Sequence, residues 1–212
     1  MKITLINGSP KVKNSASGIL LETIENIVNG RAEIKHLHYR KANSAEQPAG
    51  KAVDIETSDA LVFAFPLYVD GIPGHLLACL EALDNENAEM KGKYVYGISN
   101  CGFYEGDQAR FALDILKNWC VKSGAVWGGG IGIGGGGAVT SMPQLKDVSK
   151  AKSPVAKEMV RLTENMLNKR TQENVYPSIL LPRGMYQAAA HMNWKRKIRK
   201  NGGKVKDLEN KW

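Results

Sequence analysis

Leu5-Ile6-Asn7-Gly8-Ser9-Pro10-Lys11-Val12-Lys13-Asn14-Ser15-Ala16-Ser17 carries an apolar strand, residues 2–6, into a turn of Asn, Gly, Ser and Pro, and the turn opens into a helical pattern near Ala16. The first N–H groups of a helix have no intrahelical partner, and its dipole favours negative charge there. Ser9, Ser15 and Ser17 add hydroxyls, Asn14 an amide and Lys11 a cation, and Ala16 supplies one of the first amides. The stretch therefore reads as a phosphate cradle. It holds neither G-x-x-x-x-G-K-[ST] nor G-x-G-x-x-G, so it is not a nucleoside-triphosphate loop and gives a dinucleotide pyrophosphate no evident seat. One early Lys among hydroxyls suits a single terminal phosphate monoester. Ser and Asn are also ordinary N-caps, and the same residues would make a plain strand-to-helix turn.

Outward from this turn, strand and helix patterns alternate. Ile19, Leu20, Ile24, Ile27 and Val28 recur at helical spacing until Asn29-Gly30 stops them. A second strand is expected over residues 32–37, weak structure over 40–50 and a short helical turn over 53–57. Ala60-Leu61-Val62-Phe63-Ala64-Phe65, closed by Pro66, has the unbroken apolar character of a strand buried on both faces. A helix over 72–83 with Pro73 near its start, a strand over 93–99, a helix over 107–123 and a Gly-rich strand over 125–133 follow. This order predicts an α/β fold, a doubly wound five-stranded parallel sheet with helices on both faces. Ligands of such sheets sit outside the carboxyl ends of the strands, where the strand order reverses.

Three strand ends then converge: residues 8–17, 66–72 and 100–106. Pro66-Leu67-Tyr68-Val69 is apolar and aromatic where a surface connection is normally polar, as a flat aromatic ligand would require. Asn100-Cys101-Gly102-Phe103-Tyr104 puts small residues first, for close backbone approach, and aromatic ones next, to cover a ring. Each loop alone also has an ordinary reading, as a sheet-edge cover or a helix cap. Together they describe one crevice. Gly134-Gly135-Gly136-Gly137-Ala138 reads as a flap or a flexible linker.

At 212 residues the chain fits one domain with a decorated edge. No run of about 18 apolar residues is present, so no membrane span is expected. No leader pattern precedes the first strand. Cys79, Cys101 and Cys120 are widely spaced, which gives neither a disulfide framework nor a metal site and suits a reducing cytoplasm. The net charge is +8, but nine of the 29 Lys and Arg residues and only two of the 21 acidic ones lie from Arg183 onward. The basicity belongs to the C-terminal end.

The strand–Gly8-Ser9-Pro10-Lys11…Asn14-Ser15 turn, Phe65-Pro66-Leu67-Tyr68 and Ser99-Asn100-Cys101-Gly102-Phe103 together resemble the flavodoxin-like family of NAD(P)H-dependent FMN reductases and quinone reductases, over about the first 167 residues. The resemblance implies FMN as cofactor and NAD(P)H as co-substrate. It assigns Ser9, Lys11, Asn14, Ser15, Ala16 and Ser17 to the FMN phosphate, Pro66, Leu67, Tyr68 and Val69 to one side of the isoalloxazine, and Asn100, Cys101, Gly102 and Phe103 to its pyrimidine edge. Many relatives carry Arg where this chain has Lys11, so a point charge replaces a fork. The compact cysteine motif of related iron–sulfur flavoproteins is missing, so no cluster is expected. The implied activity passes hydride from NAD(P)H to flavin N5 and electrons on to a small acceptor (a quinone, a flavin or similar), with no side chain acting as acid, base or nucleophile. Backbone N–H groups near Asn100–Phe103 would stabilise negative charge on the ring edge. Tyr68 and Tyr104 are the candidates for substrate-side contacts. Cys101 is read as a small buried hydrophobe and not a catalytic thiol, and His36 and His75 as surface or hydrogen-bonded residues and not catalysts. The rival reading is a flavodoxin-type electron carrier without pyridine-nucleotide turnover, although such carriers tend to be strongly acidic. A third is a binding module acting through its basic tail.

Residues 1–170 are thus expected to form a flavodoxin-like FMN-binding domain, and 171–212 a basic C-terminal helical extension packed on the domain or on a second subunit. A helix over 184–200 would present Met185, Ala188, Ala189, Met192 and Ile198, and its terminal Lys195-Arg196-Lys197-Ile198-Arg199-Lys200 suits the helix dipole. A homodimer is expected, and no nucleic-acid partner.

Overall fold

The six residues from Ala60 to Phe65 leave no polar face for water, and the chain covers them on both sides. In the computed structural model, which describes residues 1–11, 13–39, 54–140, 145 and 153–206, they form most of β3 (Ala60–Pro66). β1 (Lys2–Asn7), β2 (Glu33–His38), β4 (Tyr94–Asn100) and β5 (Val126–Ile133) complete a sheet of order β2-β1-β3-β4-β5. Every pairing is parallel. This is the flavodoxin-like order, and its switch point lies between β1 and β3. The weak structure expected over 40–50 and the start of the turn at Val53 fall outside the described residues.

The connections carry α1 (Ala16–Val28), α2 (Gly74–Asn85) and α3 (Arg110–Ser123), residues 54–56 are also helical as the sequence suggested, and the short α4 (Gly136–Val139), α5 (Pro154–Leu167) and α6 (Arg183–Lys200) follow β5. On one face, Leu20 and Ile24 of α1 and Met159 and Leu162 of α5 pack on Leu5, Val62 and Ile98. On the other, Leu76 and Leu80 of α2 and Leu113 and Leu116 of α3 pack on Ile6 and Phe63. Phe63 meets Trp119 edge to face, with centroids 6.0 Å apart. Each fully buried side chain of this kind contributes about 1.5–3 kcal/mol, so the two layers hold the sheet rigid beneath its loops. Helix α2 begins two residues later than the sequence suggested, because Pro73 takes the N-cap position with extended ψ. The helix expected from residue 107 opens as a 3₁₀ turn, Gly106–Ala109, before α3.

The glycines of β5 answer to crowding. A side chain on Gly128 would strike the Tyr96 ring, and Gly129 has a φ of 121° at a register shift opposite Val95 and Tyr96. The outer edge of β5 is covered by residues 172–175: Gln172 N–H donates to Gly128 O at 2.9 Å, Val175 N–H to Gly130 O at 2.9 Å, and Gly132 N–H to Val175 O at 2.8 Å. Such cover removes an exposed sheet edge. The chain divides into two compact units, Met1–Ile179 and Leu180–Trp212. Residues 171–179, read from sequence as the start of the extension, lie in the first. In the second, α6 ends in a Schellman motif: Gly202 has a φ of 80°, its N–H donates to Arg199 O, and Gly203 N–H donates to Ile198 O. Among the described residues no helix is long and apolar enough to cross a membrane.

One ion pair ties the start of β1 to the end of the first unit. Asp59 accepts from Lys2 N–H at 2.9 Å and from Lys169 Nζ at 3.0 Å. These bonds hold its carboxyl below the usual 3.8. A depressed folded-state value contributes stability above the ordinary carboxylate range, and that stability is lost as pH falls through the folded value. The urea midpoint of Asp59→Asn is therefore expected to fall less than that of the parent between neutral pH and roughly pH 3. Equal losses would mean the pair is silent.

Candidate functional site

At the end of β1 the backbone turns through Gly8, where a Cβ would sit 2.6 Å from Leu76 Cδ2 and 3.1 Å from Phe65 Cβ. The glycine lets the first loop lie directly on α2 and β3. Two side chains missed by the sequence reading shape the loop. Asn7 accepts from Ser9 N–H at 3.0 Å through Oδ1 and donates through Nδ2 to Ser15 Oγ at 3.4 Å. His75, half-buried at the start of α2, donates from Nε2 to Gly8 O at 2.9 Å. An Asn beginning a Gly-Ser-Pro turn was the available signal for Asn7, whereas His75 had none.

The three serines share one property. Ser15 caps α1, accepting from Gly18 N–H at 3.0 Å in addition to Asn7. Ser9 Oγ accepts from Lys11 N–H at 3.3 Å. Asn100 Nδ2 donates to Phe65 O at 3.1 Å, and since a carbonyl only accepts, that amide group also donates to Ser17 Oγ at 3.1 Å. A hydroxyl has one proton and two lone pairs. Each of these oxygens is used as an acceptor, which leaves its O–H to donate to an anion. Lys11 Nζ lies 2.9 Å from Asn14 O, and Asn14 holds a left-handed φ of 51° that carries the chain into the helix. Ala16 and Ser17 stand at the first helical positions, whose N–H groups have no intrahelical acceptor. Hydroxyls, amides and one cation thus surround one end of the crevice, a donor set with the chemistry of a phosphate monoester.

Asn100 also ties the three loops together. Its amide joins the first turn of α1 to the end of β3, and Leu67 N–H donates to Asn100 O at 2.8 Å. Both Asn100 and Ser17 are buried. Their bond to each other makes them the frame of the site, while Lys11 and Asn14 stay exposed.

Beyond Pro66 and Leu67 the second loop is a closed two-residue hairpin, with Tyr68 N–H donating to Gly71 O at 3.2 Å and Gly71 N–H to Tyr68 O at 3.0 Å. Val69 and Asp70 between them have φ of 48° and 58°. Left-handed backbone suits Gly or Asn in such turns, and a β-branched residue there costs about 1–2 kcal/mol. Val69 is 100% exposed, Tyr68 50% and Phe103 of the third loop 58%, so the rim of the crevice is apolar and open. A planar ring is the ligand such a rim fits. With the donor cluster at the other end, the residues present fit FMN.

The third loop is braced from beneath. Cys101 N–H donates to Ile133 O at 3.0 Å, and Gly135 and Gly136 N–H donate to Phe103 O and Cys101 O at 2.5 and 2.6 Å. Ser178 Oγ donates to Tyr104 O at 2.7 Å. The Cys101 amide, expected to face the ligand, is thus committed to β5. Its thiol donates towards Phe103 O and Glu105 O, and burial pushes its pKa up. That favours the unreactive thiol, consistent with a structural role. Gly102 and Phe103 are the exposed members of the stretch, and Tyr104 is half-buried. The Gly134–Ala138 segment is neither flap nor linker. Gly134, Gly135 and Gly136 are buried, and the run from Gly136 forms α4. A side chain on Gly134 would collide with Tyr104 O. Glycine is present for contact, not for mobility. The two described cavities, about 390 Å³ beside Asp84 and Lys122 and about 350 Å³ beside Val175 and Tyr176, are lined by other residues.

A parallel sheet of order 2-1-3-4-5, with clustered hydroxyl, amide and ammonium donors after β1 and exposed apolar residues after β3, has the flavodoxin-like fold. The chain belongs to the NADPH-dependent FMN reductase family, whose model matches residues 1–132. It is accordingly an NAD(P)H-dependent flavin oxidoreductase that uses FMN. Among solved structures it is similar to the NADH:FMN oxidoreductase EmoB in its apo form, with 20% identity, 81% of this chain and 91% of that one covered, and a TM-score of 0.59. FerB of Paracoccus denitrificans, a flavoenzyme NAD(P)H:(acceptor) oxidoreductase, matches with 19% identity over 79% of this chain and 95% of its own, at a TM-score of 0.57. A flavodoxin of Streptococcus pneumoniae TIGR4 matches with 12% identity over 80% and 99%, also at 0.57. At these identities the likeness is one of fold. No curated protein matches the chain.

Proposed function

We propose that the protein oxidises NAD(P)H and reduces a small diffusible acceptor, a quinone, a flavin or a similar compound, in the crevice above β1, β3 and β4. The carrying observation is the hydroxyl cluster. Ser9, Ser15 and Ser17 each accept a bond within the chain and retain a proton for a phosphate oxygen. Bound FMN supplies the two-electron chemistry. The chain's own residues do the rest. Lys11 and the first amides of α1 neutralise the phosphate, Asn100 holds the first and second loops in register, Gly102 and Phe103 approach the ring's polar edge, and Tyr68 and Tyr104 contact the substrate. The buried Cys101 thiol takes no part.

The near-neutral first unit favours an enzyme over an acidic flavodoxin-type carrier. The purified protein is expected to be yellow, or to become so with added FMN, and to bleach on anaerobic addition of NADPH. Steady oxidation of NADPH in the presence of a quinone would follow. A colourless protein that takes up no FMN overturns the reading, and bleaching without turnover supports the carrier. We further propose a cytoplasmic homodimer. Three buried free cysteines suit a reducing compartment, and the extension, with exposed Met185, Met192 and Trp194 on α6, is suited to join subunits. Gel filtration of the full chain and of a chain ending before Arg183 tests this, and equal apparent masses would dissociate the extension from assembly.

A further inference from the structure

The Tyr68–Gly71 hairpin breaks a local rule without gaining anything inside the chain. Its two central positions are left-handed. Asp70 tolerates this, since Asp is among the residues that visit the region, but Val69 does not. A branched side chain in that conformation is normally over-determined by packing, yet Val69 is wholly exposed. Such violations collect where a protein meets its ligand. The hairpin is tied at its base, where Leu67 N–H donates to Asn100 O. Val69 stands between Tyr68, whose ring is half exposed, and the carboxylate of Asp70 in the chain.

We propose that Val69 is a specificity-determining residue for the electron acceptor, its isopropyl group forming one wall of the acceptor's place and selecting neutral flat quinones over anionic acceptors. This rests on the oxidoreductase reading given above. In the overall reaction NADPH loses a hydride to become NADP⁺, and the quinone gains that hydride's two electrons and two protons, one supplied by solvent, to become a hydroquinone. An uncharged ring gains from contact with Val69 and the adjacent Tyr68 ring, whereas an anion gains nothing there and is opposed by Asp70. The strained turn holds the branched group out from the surface, where a relaxed turn with Asn or Gly would present no apolar wall.

The test uses the full-length holoprotein with Val69→Asn and Val69→Gly, and reads stability together with kinetics. Relief of the left-handed strain is expected to raise the urea midpoint of both variants. The KM for menadione, relative to that for ferricyanide, is expected to rise about tenfold, the worth of one branched aliphatic contact with a ring. A raised midpoint with an unchanged KM ratio overturns the role of Val69 and leaves the oxidoreductase reading standing. A lowered midpoint shows that Val69 is held by contacts within the protein, and overturns the role as well. A parent protein that fails to oxidise NADPH with either menadione or ferricyanide supplied overturns the oxidoreductase reading, and this inference with it.

Discussion

Gly134→Ala is expected to cost about 3 kcal/mol of folding free energy, a large share of the margin of a typical domain. The three atoms nearest the added methyl are all backbone. Tyr104 O and Gly106 N lie against the position it would take, and backbone has no rotamer by which to withdraw. Tyr104 O is itself held by Ser178, and Phe103 O by Gly135 N–H, so the loop cannot yield locally. Its displacement would carry Phe103 and Gly102 away from the crevice. A lowered urea midpoint and a parallel loss of FMN uptake are the measurements. Gly102→Ala is the control: nothing lies within 4 Å of its Cβ position, so stability should change by no more than about 0.5 kcal/mol. If both variants unfolded at the parent's midpoint, the bracing of the third loop by the glycine run would be refuted.

Lys11→Ala combined with Ser15→Ala is expected to weaken FMN binding roughly a hundredfold, from one charge-assisted hydroxyl bond and one nearby cation. Ser15 does two things at once. It caps α1 through Gly18 N–H, and its spare proton is available to the phosphate. Ser15→Ala alone should therefore also lower thermal stability, by about 1 kcal/mol for a lost cap. Lys11→Ala should leave stability nearly untouched, since Nζ bonds only the exposed carbonyl of Asn14 among the described residues. Equilibrium titration by quenching of FMN fluorescence separates the two roles. An FMN affinity equal to that of the parent in the double variant would place the phosphate elsewhere.

Much of the framework around the candidate site was readable before any coordinates, because its signals are local. The N-cap Ser15, the helix from Ala16 to Val28 and its stop at Asn29 follow from neighbouring residues, and the structure places them at those positions. The unbroken apolar run of β3 announced a strand with both faces covered, and helices on both faces followed from its parallel neighbours. The turn at Pro66–Val69 stood out for being apolar where water was expected.

Other features had no local sign. Gly134 to Gly136 looks the same in sequence whether the chain there is mobile or pressed between two backbones, since glycine records only a missing side chain. Residues 172–175 carry no strand pattern, and they join β5 because its glycines leave room for a further segment at its edge. Asn100 reads as a ligand contact because it is polar at a strand end, but its side-chain amide is spent on Phe65 O and on Ser17 Oγ, 83 positions away, and only the Ser17 proton remains. The sequence by itself determined the order of elements, the parallel sheet and the three loops that meet at its switch point, because periodicity and capping depend on residues a few positions apart. Only the tertiary structure decided which polar groups at that meeting place are spent on one another and which remain for a ligand, because that choice depends on distances between loops that the chain brings together only after the sheet has formed.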